Sequence, residues 1–466
     1  MDPINPSANV RIRRGVVKDM VMRMNIQKKE MKNGLVVLSE VMPHLRSVSL
    51  GVWVKCGSRF EDPRLSGIAH FIEHLLFKGT ATRSTEDIAK TIDSVGGQLN
   101  AFTEKEYVGF YARVLDEHLP LAFDLLSDIV LNPAFPAKEI ERERNVIFEE
   151  ISMIEDSPQE LVLDLYMENC WKGHPLGRPI AGTRKTVAEI SRKDVMDFFK
   201  RNFKAGNIVL SAAGNIEHKT IQQLAEKYFA GLEEGTRTTS GAPPVFNPGR
   251  SARRKAHLEQ THICIGTIAP PMSSDERYCA HLLNGILGGG MSSRLFQNIR
   301  EKKGLVYSIY SMLAAYHDAG TLTVYAGTAH ETAAEVVELT LKEFRKMRQK
   351  LVSGEELKRA KDCIKGAITL GLESSSSRMT NLAQQIICHG KLRNLEETLS
   401  AVDRVTDREI RELADRILDP AHFVLTALSG GSGADLKSVS FDAHKKAASA
   451  NDVDKASPKR EKRSLL

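Results

Sequence analysis

His70, Glu73 and His74 stand at positions i, i+3 and i+4 of an apolar segment, Ile68-Ala-His-Phe-Ile-Glu-His-Leu-Leu76. On a helix that spacing turns all three side chains to one face. Imidazole nitrogens favour zinc, and a carboxylate beside them is suited to take a proton from a water that the metal activates. This HxxEH order is the inverse of the HExxH signature. Burying the trio on an apolar turn without a metal would be costly, so His70 and His74 read as ligands. Catalytic zinc needs a third protein ligand and one open position. The segment Glu141–Ile151 offers Glu143 and Glu150, seven residues apart and so on one helical face, whereas Glu149 points elsewhere. One carboxylate would ligate and the other would hold a histidine in orientation. Spacing alone does not choose between them.

The elements that must position these residues follow from periodicity. Gly34–Leu38 and Ser47–Val54 alternate as strands. Ser66–Phe77 has helical spacing, with Gly79 as its stop signal. Leu99–Leu115 reads as a strand pair, Glu139–Ile154 as an amphipathic helix, and Phe198–Gly214 as a helix end and a strand. Glycine, proline and threonine crowd the stretch from Gly231 to Arg253, which marks a linker. The expected organisation is a basic arm (1–26), a zinc-binding domain (27–232), a linker (233–255), a second domain (256–430) and an Ala/Ser/Lys-rich disordered tail (431–466).

The two halves look like copies. An offset of 207 lays His70–Leu76 over Arg277–Leu283, Ile88 over Leu295, Ile92 over Ile299, Gly97 over Gly304 and Asn100 over Tyr307. An offset of 217 then lays Ile140 over Leu357, Arg144 over Lys361 and Ile147 over Ile364. Ordered matches of this kind argue for a duplicated domain. The second copy has Arg277, Ala280 and Ala367 where the first has His70, Glu73 and Glu150, and keeps only His281. One metal site per chain is expected, in the first half.

Composition narrows the classes. Six cysteines in 466 residues, with no CxxC pair, point to reduced thiols. No run of eighteen apolar residues occurs, so no membrane span is expected. The net charge of +6 sits at the ends: residues 1–30 carry seven Lys/Arg against three acids, and residues 433–466 eight against five. The near-neutral body has no footprint for nucleic acid. Gly285–Ser293 lacks the GxxxxGK[ST] order of a phosphate loop. A bacterial-type cytoplasm is the expected compartment. The alternative is an organellar targeting role for the basic arm, although it lacks serine enrichment and contains Asp19.

His70-Phe-Ile-Glu-His-Leu-Leu-Phe-Lys-Gly-Thr80, with a glutamate 76 positions after His74, resembles the pitrilysin/insulinase family of zinc peptidases. The likeness is to its two-domain branch of bacterial processing-like proteases and the catalytic subunit of mitochondrial processing peptidase. Gly97–Thr103, Pro175–Arg178 and Phe296–Tyr307 support it, and it spans about residues 27–430. It implies an α+β clamshell half: two homologous domains, each an antiparallel sheet covered by helices. It also implies one Zn2+ held by His70, His74 and Glu150, with Glu143 behind a histidine and Glu73 as general base. By the same resemblance Asn100 and Ala101 lie on an edge strand that pairs with substrate, and Arg300 and Tyr307 reach it across the cleft. A guanidinium and a phenol are donors able to hold a carbonyl or developing oxyanion. The expected partners are a peptide or unfolded polypeptide and a second copy of the chain, a heterodimer with an inactive homologous subunit being the alternative. Two other readings compete: a catalytically silent assembly subunit, and a zinc hydrolase of a non-peptide bond.

Overall fold

The computed structural model describes residues 26–235, 241–430, 436 and 439–441. Apart from Ile26 and residues 436 and 439–441, the expected arm and tail lie outside the described residues.

Two helix-covered sheets make up the α+β fold. The first has strand order β1-β2-β6-β3-β5-β4, from β1 (Ile26–Glu30), β2 (Val36–Val41), β3 (Ser47–Val54), β4 (Gln98–Thr103), β5 (Val108–Leu115) and β6 (Ile208–Gly214). The second runs β7-β11-β8-β10-β9, from β7 (Gly249–Arg254), β8 (Thr261–Ile268), β9 (Val306–Ala315), β10 (Gly320–Thr328) and β11 (Val424–Ser429). Setting β1 aside, the two orders superimpose, as a duplication requires.

Two expectations are corrected. Neither sheet is purely antiparallel, because β2 pairs β6 and β7 pairs β11 in parallel. Parallel neighbours need a long crossover rather than a tight hairpin, and each of these pairs brackets most of its own half. The end of the expected linker, Gly249–Arg254, is strand β7 itself. Its charged, mostly exposed residues carry no alternation, so the pattern reads as loop, while backbone pairing with β11 makes it an edge strand.

Each sheet buries one face under its own helices. The first core gathers Val48, Leu50, Val52 and Phe110 with Phe71, Ile72, Leu75, Phe123 and Ile147, all but shut off from solvent. The opposite face is covered by a helix from the other half. Ser375–His389 lays Met379, Leu382 and Ala383 on Trp53, Val36 and Val209 of the first sheet. Pro158–Cys170 lays Val162, Tyr166 and Cys170 on Cys264, Tyr325 and Val424 of the second. Polar groups fix both crossings: Ser375 Oγ lies 3.0 Å from Ser49 Oγ, and Asn169 donates to Ser251 Oγ at 2.6 Å. The halves are therefore locked by exchange, each supplying a layer to the other.

Candidate metal centre

Helix Ile68–Leu76 begins at Gly67, whose φ of 98° is left-handed; a Cβ there would lie 2.6 Å from the Ala181 carbonyl. The buried Glu61 carboxylate caps it, accepting from Gly67 N (2.9 Å) and Ala69 N (2.8 Å). Ile68, Ala69, Phe71, Ile72, Leu75 and Leu76 enter the core. The remaining residues, His70, Glu73 and His74, face helix Ala137–Asp156 and β4. That longer helix is held by Ile140, Ile147 and Ile151, and by Arg144, which donates to the Val187 and Ile190 carbonyls.

His70, His74 and Glu150 offer one ligand atom each within 4.8 Å of one another. Glu150 stands between the imidazoles, 3.6 Å from His70 Nε2 and 3.5 Å from His74 Nε2. Glu143, 5% exposed, takes the other side of His74, its Oε2 3.2 Å from Nδ1. The pair that spacing left open thus takes separate positions: Glu150 at both Nε2 atoms, Glu143 at an Nδ1. Burial and the neighbouring His74 push His70 down to about 4, so its imidazole stays neutral and keeps a lone pair to donate. A set of two imidazole nitrogens and one carboxylate oxygen fits a catalytic zinc site, which takes three protein ligands.

Glu73 accepts a hydrogen bond from Thr103 Oγ1 at 2.6 Å. Burial raises its pKa above the usual carboxylate value, opposed by that hydrogen bond and by His74; Glu150 adds a smaller upward push. Thr103 ends β4, the exposed edge of the first sheet, which also carries Asn100 and Ala101. Asn100 Oδ1 accepts from Ala101 N at 2.8 Å. Arg300 and Tyr307 lie elsewhere. Arg300 stands 4.6 Å from the Phe296 ring and beside Glu301, while Tyr307, 81% exposed, projects from β9. Neither touches the triad in its own chain.

Two residues of the centre escaped the sequence reading. Thr103 lies two positions after Ala101 on one strand face, and Lys78 one helical turn after His74, with Nζ 2.8 Å from Glu143 Oε1. Strand and helix periodicity, continued outward from Ala101 and His74, would have pointed to both. In the second half the corresponding space is a cavity of about 290 Å3 lined by His281, Gly285, Ala360, Cys363 and Ala367.

Residues 36–184 match the family profile described as Insulinase (Peptidase family M16), and residues 189–363 that of the Peptidase M16 inactive domain. The chain belongs to the M16 insulinase family, as its motifs imply. It is 37% identical over 392 residues to the uncharacterized zinc protease YmxG of Bacillus subtilis, covering 84% of this chain and 95% of that one. It is 39% identical over 395 residues to an uncharacterized zinc protease of Mycobacterium tuberculosis, covering 83% and 89%. Among solved structures, a protease from Helicobacter pylori superimposes with a TM-score of 0.83 at 21% identity, over 87% of this chain and 99% of that one. The peptidase M16 inactive domain from Pseudomonas fluorescens gives 0.82 at 21%, over 88% and 99%. No helix of the described residues is long and apolar enough to cross a membrane.

Proposed function

We propose that this chain is a zinc-dependent endopeptidase that cuts peptides or unfolded protein segments, with one zinc per chain held by His70, His74 and Glu150. The observation that carries this reading is the convergence of those three donors beside Glu73, which is tied in turn to an exposed edge strand. The relatives named zinc proteases support the metal and the reaction class. The profile described as inactive matches residues 189–363, where the donor set is missing, so the silent-subunit reading gains nothing from it.

When bound, zinc supplies Lewis-acid polarisation of a peptide carbonyl and acidifies water. The chain's own residues do the rest. The unpaired edge of β4 takes an extended substrate as an added strand through Asn100 and Ala101. Glu73 takes the proton of the attacking water and returns it to the leaving amine. Thr103 holds one oxygen of Glu73 and leaves the other for that transfer.

Arg300 and Tyr307 come from a second copy of the chain. The β9–β10 hairpin tip is pinned to its own first domain, where Asp318 meets Arg59 at 2.6 and 2.7 Å. Tyr307 lies eight residues before the end of β9 at Ala315, which at about 3.3 Å per strand residue puts it roughly 26 Å along the strand from the hairpin tip. A homodimer in which each β9 serves the other chain's centre satisfies this placement.

The test is cleavage of a quenched peptide library by purified protein with its zinc quantified, beside Glu73→Gln. Wild type holding about one zinc per chain and cutting, with Glu73→Gln keeping zinc and not cutting, is the expected result. Zinc binding without any cleavage by wild type would sink the peptidase assignment.

A further inference from the structure

The two halves differ around a histidine that both retain. His74 and its counterpart His281 sit on equivalent helices, Ile68–Leu76 and Arg277–Leu287. Each helix packs on a long neighbour, Ala137–Asp156 in one half and Gly354–Gly371 in the other. In the first half, Lys78 and Glu143 bridge the pair. Lys78 Nζ lies 2.8 Å from Glu143 Oε1, and Glu143 Oε2 lies 3.2 Å from His74 Nδ1. The same offsets that align the halves put Gly285 at the position of Lys78 and Ala360 at that of Glu143. Both charges are missing where the metal donors are missing, and the helices still pack. The fold does not need this ion pair.

We propose that Lys78 is a positioning residue of the metal centre. It acts through Glu143: by holding Oε1 it directs Oε2 at His74 Nδ1, which turns the Nε2 of that ring toward Glu150 and the metal. This rests on the zinc assignment made above. The Glu143 side chain is 7% exposed, and its other polar contact is the imidazole itself. A charge-assisted hydrogen bond from an ammonium is stronger than one between neutral groups. Without it, a buried carboxylate loses its compensating charge and moves toward water, leaving His74 free to rotate. Lys78 can act from the helix end because it follows the last helical turn, where its own N–H bonds the Leu75 carbonyl at 3.0 Å.

The experiment is zinc affinity of the full chain, measured by competition with a chromogenic chelator, together with melting of the metal-free proteins. Lys78→Met should weaken zinc by about 10–100-fold, the range found when partners behind a ligand are removed. Lys78→Arg, which keeps a cation, should recover most of that loss. Lys78→Met combined with Glu143→Gln should bind no more weakly than Glu143→Gln alone, since the two act in series. Metal-free Lys78→Met should melt close to metal-free wild type. Wild-type affinity in Lys78→Met, additive losses in the double variant, or a metal-free variant that melts far lower would each overturn the proposal. Wild type that binds no zinc at all would overturn the metal assignment beneath it.

Discussion

Thr103 Oγ1 donates to Glu73 Oε2 at 2.6 Å, so the carboxylate beside the candidate donors His70, His74 and Glu150 is fastened to the strand that offers its edge to solvent. A substrate strand seated on β4 would be aligned with the base by the same element that positions the base.

Thr103→Val should therefore lower kcat by about 10–100-fold, the worth of a hydrogen bond to a charged group. KM should change little, because the lost interaction does not hold substrate. Thr103→Ser keeps the donor and should stay near wild type. Steady-state kinetics on one quenched peptide would decide it; a change in KM alone would place Thr103 in binding instead.

Chelation by 1,10-phenanthroline should abolish cleavage, and added zinc should restore it. The metal-free protein should also melt lower, since a ligand at a thousandfold excess over its Kd stabilises the folded state by about 4 kcal/mol. Differential scanning calorimetry with and without zinc reads this directly.

Glu73→Gln and Tyr307→Phe should each be nearly inactive as pure proteins, yet regain activity when mixed and allowed to exchange subunits. The mixed dimer holds one centre with both groups intact if β9 reaches the partner chain. Mixtures as inactive as their components would show that each chain completes its own centre.

Asp318→Asn should loosen the two domains. Arg59 has a side chain only 2% exposed and bonds both Asp318 and Glu106, while Glu106 Oε2 accepts from His317 N at 2.9 Å. Removing one charge leaves the guanidinium with half its compensation, at a cost of about 2–4 kcal/mol. A lower melting temperature and faster proteolysis at the β9–β10 hairpin are expected. An unchanged cleavage pattern would count against the latch.

Acid should erase the contribution of the Arg294–Glu356 pair. The Arg294 fork and Ser353 hold Glu356 down to about 2, against an ordinary 4.5. A lowered folded value gives stability that is complete above pH 4.5 and is lost as pH falls toward 2. Arg294→Met should melt a few degrees lower at pH 7, and the gap should narrow below pH 4.5 and close only near pH 2. A gap that persists there would mean packing, not charge, is responsible.

The candidate metal centre was readable where its geometry is local. The i, i+3, i+4 spacing of His70, Glu73 and His74 fixes their convergence through helix pitch alone. The choice between Glu143 and Glu150 was not readable, because both lie on one face of one helix. It turns on which nitrogen of His74 each one meets, and that depends on how two helices cross. Lys78 and Thr103 were missed for a related reason: a lysine past a helix end and a threonine at a strand end each look like ordinary surface residues until a carboxylate is found beside them.

By itself the sequence determined the convergence of His70, Glu73 and His74 on one helical face, the likeness between the halves and the family. All of these follow from spacing along one chain or from motif likeness. Only the tertiary structure decided what the amphipathic helices cover. The apolar faces of Pro158–Cys170 and Ser375–His389 announce burial but not a partner, since the hydrophobic effect has no direction. The structure sends each to the sheet of the opposite half, and turns the charged stretch Gly249–Arg254 into strand β7. Those outcomes depend on contacts between residues eighty or more positions apart, which no local pattern encodes.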